Sequence, residues 1–203
     1  MAAVALGLYL VFLLTAFGLR SYLQYRRTGS TGFLGISGRR GSAEWWGGAL
    51  FVVAIFLGLA GPMVQLAGVP PLVDATWVHV CGLVLAIIGI GATVVAQNAM
   101  GTSWRVGVDQ AETTHLVTSG PFALVRNPVF TTMSTAGIGL ALLAPNMIAL
   151  AGLAALFVAI QLQVRVVEEP YLLGVHGEPY RDYAARVGRF VPGVGRLPVA
   201  DLG

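Results

Sequence analysis

The chain has 203 residues, 56% of them hydrophobic and only 10% charged, where a soluble domain carries about 25% charged residues. That balance excludes an ordinary water-soluble domain and predicts an integral membrane protein built as one compact bundle. The formal net charge is +3, and all 12 basic residues other than histidine are arginine, a usage that suggests a GC-rich bacterial genome.

A membrane-spanning helix needs about 20 mostly apolar residues. Residues 2–23 meet this first. No basic residue precedes their apolar core and several follow it, the reverse of a secretory signal peptide, so the segment reads as a retained span. Residues 45–67 form the second, entered through Glu44, Trp45 and Trp46, an aromatic pair of the interfacial kind. Residues 75–99 form the third, with Trp77 near the start and Gln97-Asn98 at the end. Its Cys81 reads as a small buried hydrophobe, and a lone cysteine makes no disulfide framework.

Residues 128–164 carry no charge and are too long for one ordinary helix. Ala144-Pro145-Asn146 interrupts them with turn signals, which predicts helices at 129–144 and 147–167. The first is short for a span and is expected to tilt or to sit in a thin part of the bundle. The expected fold is therefore all-α, with five transmembrane helices.

The distribution of arginine supports this count. With the N-terminus outside, the cytoplasmic segments are 24–43, 99–127 and 168–203, and every arginine falls in or beside them. An even number of spans would put the C-terminal arginines outside. The arginines at 20–40 read as topological and lipid-facing, not as a nucleic-acid patch. Gly82, Gly89, Gly91, Gly137 and Gly139 suit close helix packing in lipid. Residues 27–43 read as a flexible loop and 191–203 as a loose tail. The chain divides into N-terminal helices (1–94), a core (95–192) and a tail (193–203).

Three segments offer polar chemistry at the edge of the apolar runs. Gly120-Pro121 is a turn signal, and Asn127-Pro128 is a helix start with proline at its first position. It reads either as a loop with Asn127 as N-cap and Arg126 as anchor, or as backbone amides and Arg126 holding a polar ligand. Glu168-Glu169 follow the last span. Arg165 lies four residues before Glu169, on the same helical face, and suits an interfacial ion pair. A carboxylate that turns inward needs a cationic partner, for which Arg165, Arg126, Arg189 or a cationic ligand are candidates. Glu178-Pro179 starts a short helix that puts Tyr180 and Tyr183 on one face, as in a helix lying on the membrane surface. His79 reads as a core histidine. His115 and His176 are isolated, and no spacing suggests a metal site.

In order, the residues Gly101-Thr102-Ser103-Trp104-Arg105, Leu116-Val117-Thr118-Ser119-Gly120-Pro121-Phe122, Val125-Arg126-Asn127-Pro128-Val129-Phe130, Glu168-Glu169, Gly177-Glu178-Pro179-Tyr180 and Arg189-Phe190-Val191-Pro192 resemble the isoprenylcysteine carboxyl methyltransferase family. The related phospholipid methyltransferases share this core. The resemblance covers about residues 95–192. It implies S-adenosylmethionine as cofactor, S-adenosylhomocysteine as product, and a cytosolic pocket formed by the last helices and the C-terminal segment. Carried onto this chain, the cofactor pocket takes Val117, Thr118, Gly120, Pro121, Phe122, Val125, Arg126, Asn127 and Pro128, closed by Glu168, Glu169, Tyr180 and Tyr183. The catalytic candidates are Arg126, Glu168, Glu169 and Arg189.

Many relatives have His where this chain has Asn127, and Tyr where it has Phe130; Asn hydrogen-bonds but cannot serve as a base. The implied activity is methyl transfer to a lipophilic acceptor in a bacterial inner membrane, either a carboxylate of a prenylcysteine-like substrate or a related bacterial lipid. Phospholipid N-methylation is the alternative within enzymes. A catalytically silent membrane protein or a transporter component is the alternative outside them. The expected partners are that substrate and membrane lipids, with no nucleic acid and no metal.

Overall fold

In a computed structural model, residues 1–32, 35–36, 38–101, 104 and 116–198 are described. Thr102, Ser103, Arg105 and His115 of the sequence analysis lie outside them. The described residues are helical apart from turns and two isolated bridges. Among the described residues four apolar helices are long enough to cross a membrane: α1 (Ala2–Thr28), α2 (Ala43–Leu66), α3 (Thr76–Ala99) and α5 (Met147–His176). A fifth, α4 (Pro128–Leu143), is apolar but shorter. Its 16 residues reach about 24 Å, short of the roughly 30 Å hydrocarbon core. The amphipathic α6 (Glu178–Arg186) follows α5.

Helices form here because the runs are apolar and a backbone in lipid must satisfy its own hydrogen bonds. Small residues decide how closely they pack. A methyl group on Gly89 would run into the backbone of Ala136, and one on Gly139 into that of Ala86, so α3 and α4 touch backbone to backbone. Gly82 faces the same contact, whereas Gly91 faces open space and is no packing glycine. Cys81 is exposed on the outer surface of the bundle, not buried, because the packed face of α3 is the one that carries Gly82, Ala86, Gly89 and Thr93.

The α4–α5 hairpin turns where Pro145-Asn146 predicted. Asn146 is buried, and its Oδ1 accepts from the Ile148 and Ala149 amides at 3.1 and 3.0 Å, capping α5. Its Nδ2 donates to Gly61 O of α2 and to Ala144 O, at 2.9 and 3.0 Å. One side chain thus satisfies two free amides of a helix start and fastens the turn to its neighbour.

Two π-helical stretches interrupt the long helices, Leu14–Leu19 in α1 and Gln163–Glu168 in α5. Near the first, Gln97 Nε2 of α3 donates to Ala16 O at 3.0 Å. The second overturns the expected Arg165–Glu169 pair. In a π turn the partner lies five residues on, not four. Accordingly Gln163 Nε2 donates to Glu168 Oε1 at 3.4 Å. Arg165 is exposed and binds Gln161 Oε1 at 2.8 Å, while Glu169 turns inward. Helix α5 also continues past the two glutamates to His176, beyond the expected end at 167.

Candidate functional site

The loop 116–128, the end of α5, α6 and the segment after it meet at one end of the bundle. A short 3₁₀ turn, Gly120–Ala123, presents Phe122 inward, and Tyr183 Oη donates to Phe122 O at 2.6 Å. Burial pushes the Tyr183 hydroxyl up to about 12 and raises that of Tyr180 as well. Both phenols therefore stay protonated near neutral pH, and Tyr183 remains a donor. The rings of the two tyrosines meet edge to face, 6.1 Å between centroids. They share a face, as their spacing predicted, but that face is buried in a small core with Ala184.

Behind this layer lies a three-residue ion cluster. Arg126 Nη2 meets Glu169 Oε1 at 2.7 Å; Arg189 grips the same carboxylate with Nε on Oε1 at 2.7 Å and Nη2 on Oε2 at 2.8 Å. The side chains are 1%, 9% and 15% exposed for Arg126, Glu169 and Arg189. The Arg189 guanidinium is held above its ordinary range, first by its hydrogen bond to Glu169. Arg126 also donates to the carbonyls of Ala184 (3.0 Å), Val187 (2.6 Å) and Gly195 (3.1 Å). Four of these bonds fill its two terminal nitrogens.

Backbone bonds complete the join. The Arg126 amide donates to Gly188 O at 2.8 Å and the Asn127 amide to Arg189 O at 3.1 Å. Asn127 stands at the start of α4 but does not cap it; its Nδ2 donates to Arg189 O at 3.1 Å. Thr131 Oγ1 donates to Phe190 O at 2.9 Å. The segment expected to be a loose tail is tied in as far as Leu197, whose amide donates to Ala184 O at 3.0 Å.

Together these elements enclose a cavity of about 230 Å³ that is mostly apolar. Of the residues expected in a cofactor pocket, Val117, Phe122, Arg126, Asn127, Pro128, Glu168, Tyr180 and Tyr183 line it. Thr118 and Gly120 are exposed on the loop, and Pro121 is half-buried. Val125 is buried behind the wall, bridged to Gly188. Glu169 and Arg189 also stand behind the wall, in the ion cluster.

The cavity has a second half that the motif did not indicate. It runs between the helices along Phe17, Phe51 and Met133, and its polar points are Glu44, Gln97 and Gln163. The available signal was physical: two amides and a carboxylate at the margins of apolar spans are costly unless used. Among the described residues no group of His, Cys, Asp and Glu is arranged to hold a metal ion.

Comparison with known proteins places this arrangement. The nickel-cobalt-cadmium resistance protein NccN of Alcaligenes xylosoxydans xylosoxydans is 28% identical over 120 residues, taking in 59% of this chain and 54% of that protein. The chain therefore spans about half the length of this curated relative. Among solved structures, the eukaryotic intramembrane Ras methyltransferase ICMT (isoprenylcysteine carboxyl methyltransferase) matches with a TM-score of 0.62 at 20% identity, over 93% of this chain and 64% of that one. This likeness is one of fold. Residues 77–179, from the start of α3 into α6, match the family model of the phospholipid methyltransferases. That match takes in just over half of the residues, and the chain belongs to the phospholipid methyltransferase family.

Proposed function

We propose that the protein is an S-adenosylmethionine-dependent methyltransferase acting on a lipophilic acceptor held in the bundle. The observation that carries this reading is the two-part cavity. One part is walled by the loop, the end of α5 and α6; the other runs on between apolar helices. A water-soluble cofactor and a membrane-borne acceptor can meet in such a cavity.

The residues present fit the cofactor. Glu168 offers a carboxylate to its ammonium group, and the Phe122 and Tyr180 rings offer π faces, which suit an adenine or a sulfonium. When bound, the cofactor supplies an activated methyl group for in-line displacement. The protein's own part is to align the nucleophile in a site shielded from water. Arg126, Glu169 and Arg189 do this indirectly, by fixing the loop against α5 and the C-terminal segment. Asn127, bound to Arg189 O, contributes to the same join and not to proton transfer.

The lining favours an amine over a carboxylate as nucleophile. Two carboxylates, Glu44 and Glu168, face the cavity, whereas the arginine among the described lining residues, Arg126, is committed to Glu169 and three carbonyls. Among the described lining residues, a carboxylate acceptor would meet carboxylates and no uncommitted arginine. An ammonium would be attracted, and a carboxylate oxygen of Glu44 or Glu168 can take its proton. Lipid N-methylation is thus preferred to carboxyl O-methylation.

S-Adenosylhomocysteine is expected to bind saturably to the detergent-purified protein in a calorimetric titration. Well-folded protein with no saturable binding would remove the enzyme reading in favour of a silent or transport-related protein. With labelled cofactor and membrane extract, the labelled lipid is expected to survive mild base, as an amine does; a base-labile product would restore the carboxyl ester.

We further propose that α4 crosses the membrane despite its length, making five crossings with the cavity on the cytoplasmic side of a bacterial inner membrane. The arginine distribution supports this reading. Reporter fusions at the two termini should then report opposite sides; both on one side would refute it.

A further inference from the structure

The ion cluster accounts for Arg126 and Arg189, but not for another buried arginine at the same end of the bundle. Arg20 of α1 is 3% exposed. Its Nη2 donates to Gly101 O at 2.5 Å, and its guanidinium carbon lies 4.8 Å from the centre of the Trp104 ring. Nε and Nη1 are buried and meet no acceptor, and the adjacent Ser21 Oγ is also buried without a partner. Arg20 has no carboxylate partner among the described residues. The neighbouring charge that bears on it, Arg27 of the same helix, is also positive.

A buried cation without a counter-charge is among the costliest arrangements in a protein, and buried donors without acceptors point to a group that belongs there. The position is informative. Phe17, one turn before Arg20, lines the cavity, as do Met100 and Trp104. Trp104 therefore contributes to both the cavity wall and the Arg20 stack.

We propose that Arg20, with Ser21 and Trp104, is an anion site at the rim of the cavity, which takes the phosphate of an amphiphile whose tail lies between the helices. The Trp104 ring covers the guanidinium in this structure, and occupancy requires it to turn aside. The phosphate is then held by Nε and Nη1 of Arg20 and by the Ser21 hydroxyl, which supplies the missing counter-charge and fixes the headgroup beside the reaction site. The choice of a lipid as its source rests on the lipophilic-acceptor reading, but the test needs no methyl transfer.

Delipidated protein is titrated with a short-chain phosphatidylglycerol, with the diacylglycerol of the same tails, and with inorganic phosphate. The phosphate-bearing lipid should bind about tenfold or more tightly than the diacylglycerol, the scale of one charge-assisted hydrogen bond. Arg20→Met should erase that preference and leave S-adenosylhomocysteine affinity unchanged. Arg20→Lys, which keeps the charge, should retain part of the preference and serves if the methionine variant does not fold.

Equal affinity of the wild-type protein for the two lipids would overturn the site, as would a preference surviving in Arg20→Met. A loss of S-adenosylhomocysteine affinity in Arg20→Met would assign Arg20 to the cofactor instead. Arg20-dependent binding of inorganic phosphate without lipid preference would keep the anion site and replace the headgroup by a free anion. If the wild-type protein binds no S-adenosylhomocysteine, the methyltransferase reading fails while the lipid comparison still stands or falls by itself.

Discussion

Glu169→Ala is expected to lower the stability of the protein by about 3–5 kcal/mol, the scale of breaking a buried ion pair from one side. The size follows from what is left behind. Glu169 accepts three charge-assisted bonds from two arginines, and without it Arg126 and Arg189 face each other as like charges. The loop, α5 and the C-terminal segment lose their common anchor, so binding of S-adenosylhomocysteine should fall with stability. Thermal unfolding in detergent, read by circular dichroism, checks the first effect and calorimetry the second. An unfolding midpoint unchanged from wild type would show that the cluster does not hold the fold.

Glu168→Gln is expected to behave in the opposite way. Glu168 lines the cavity and accepts from Gln163 Nε2 at 3.4 Å. An amide keeps the shape and removes the charge, so stability should change by less than about 1 kcal/mol. If Glu168 receives the ammonium of the cofactor, the loss of a charge-assisted hydrogen bond should weaken binding about 10- to 100-fold, or about 1.4–2.8 kcal/mol. Unchanged affinity in a folded variant would remove Glu168 from the cofactor site. The two glutamates are adjacent in sequence, yet one variant should report on stability and the other on binding.

That difference marks where sequence reasoning reaches its limit. The long spans were legible because an apolar run in lipid has few alternatives to a helix, and the Pro145-Asn146 turn because proline and a capping asparagine have a local cause. The loop and the two glutamates were recognised as a unit. Which glutamate turns inward was not, because ideal helical spacing pairs Arg165 with Glu169 and the π turn breaks that spacing. Arg126 and Arg189 were candidates for touching a ligand, but their geometry is that of a clamp. That depends on carbonyls of residues 184–195, which no side-chain pattern announces. Glu44, Gln97 and Gln163 were visible only as polar residues near apolar runs. Their convergence comes from tertiary packing.

The interruption in α5 has a consequence for how the protein tolerates change. An α-helix advances about 100° per residue, and a π turn advances less because the same turn takes in one more residue, so drawing Gln163–Glu168 back into a regular helix of the same length re-phases everything beyond it. The carboxylate that meets the two arginines would then swing away from them, and all eight residues of Glu169–His176 would present a different face to the loop. Most single substitutions in this stretch alter one contact, whereas a change in winding alters the bearing of the whole wall. The wide turn and its extra residue are therefore a joint constraint: a regular helix would need one residue fewer to keep the same bearing.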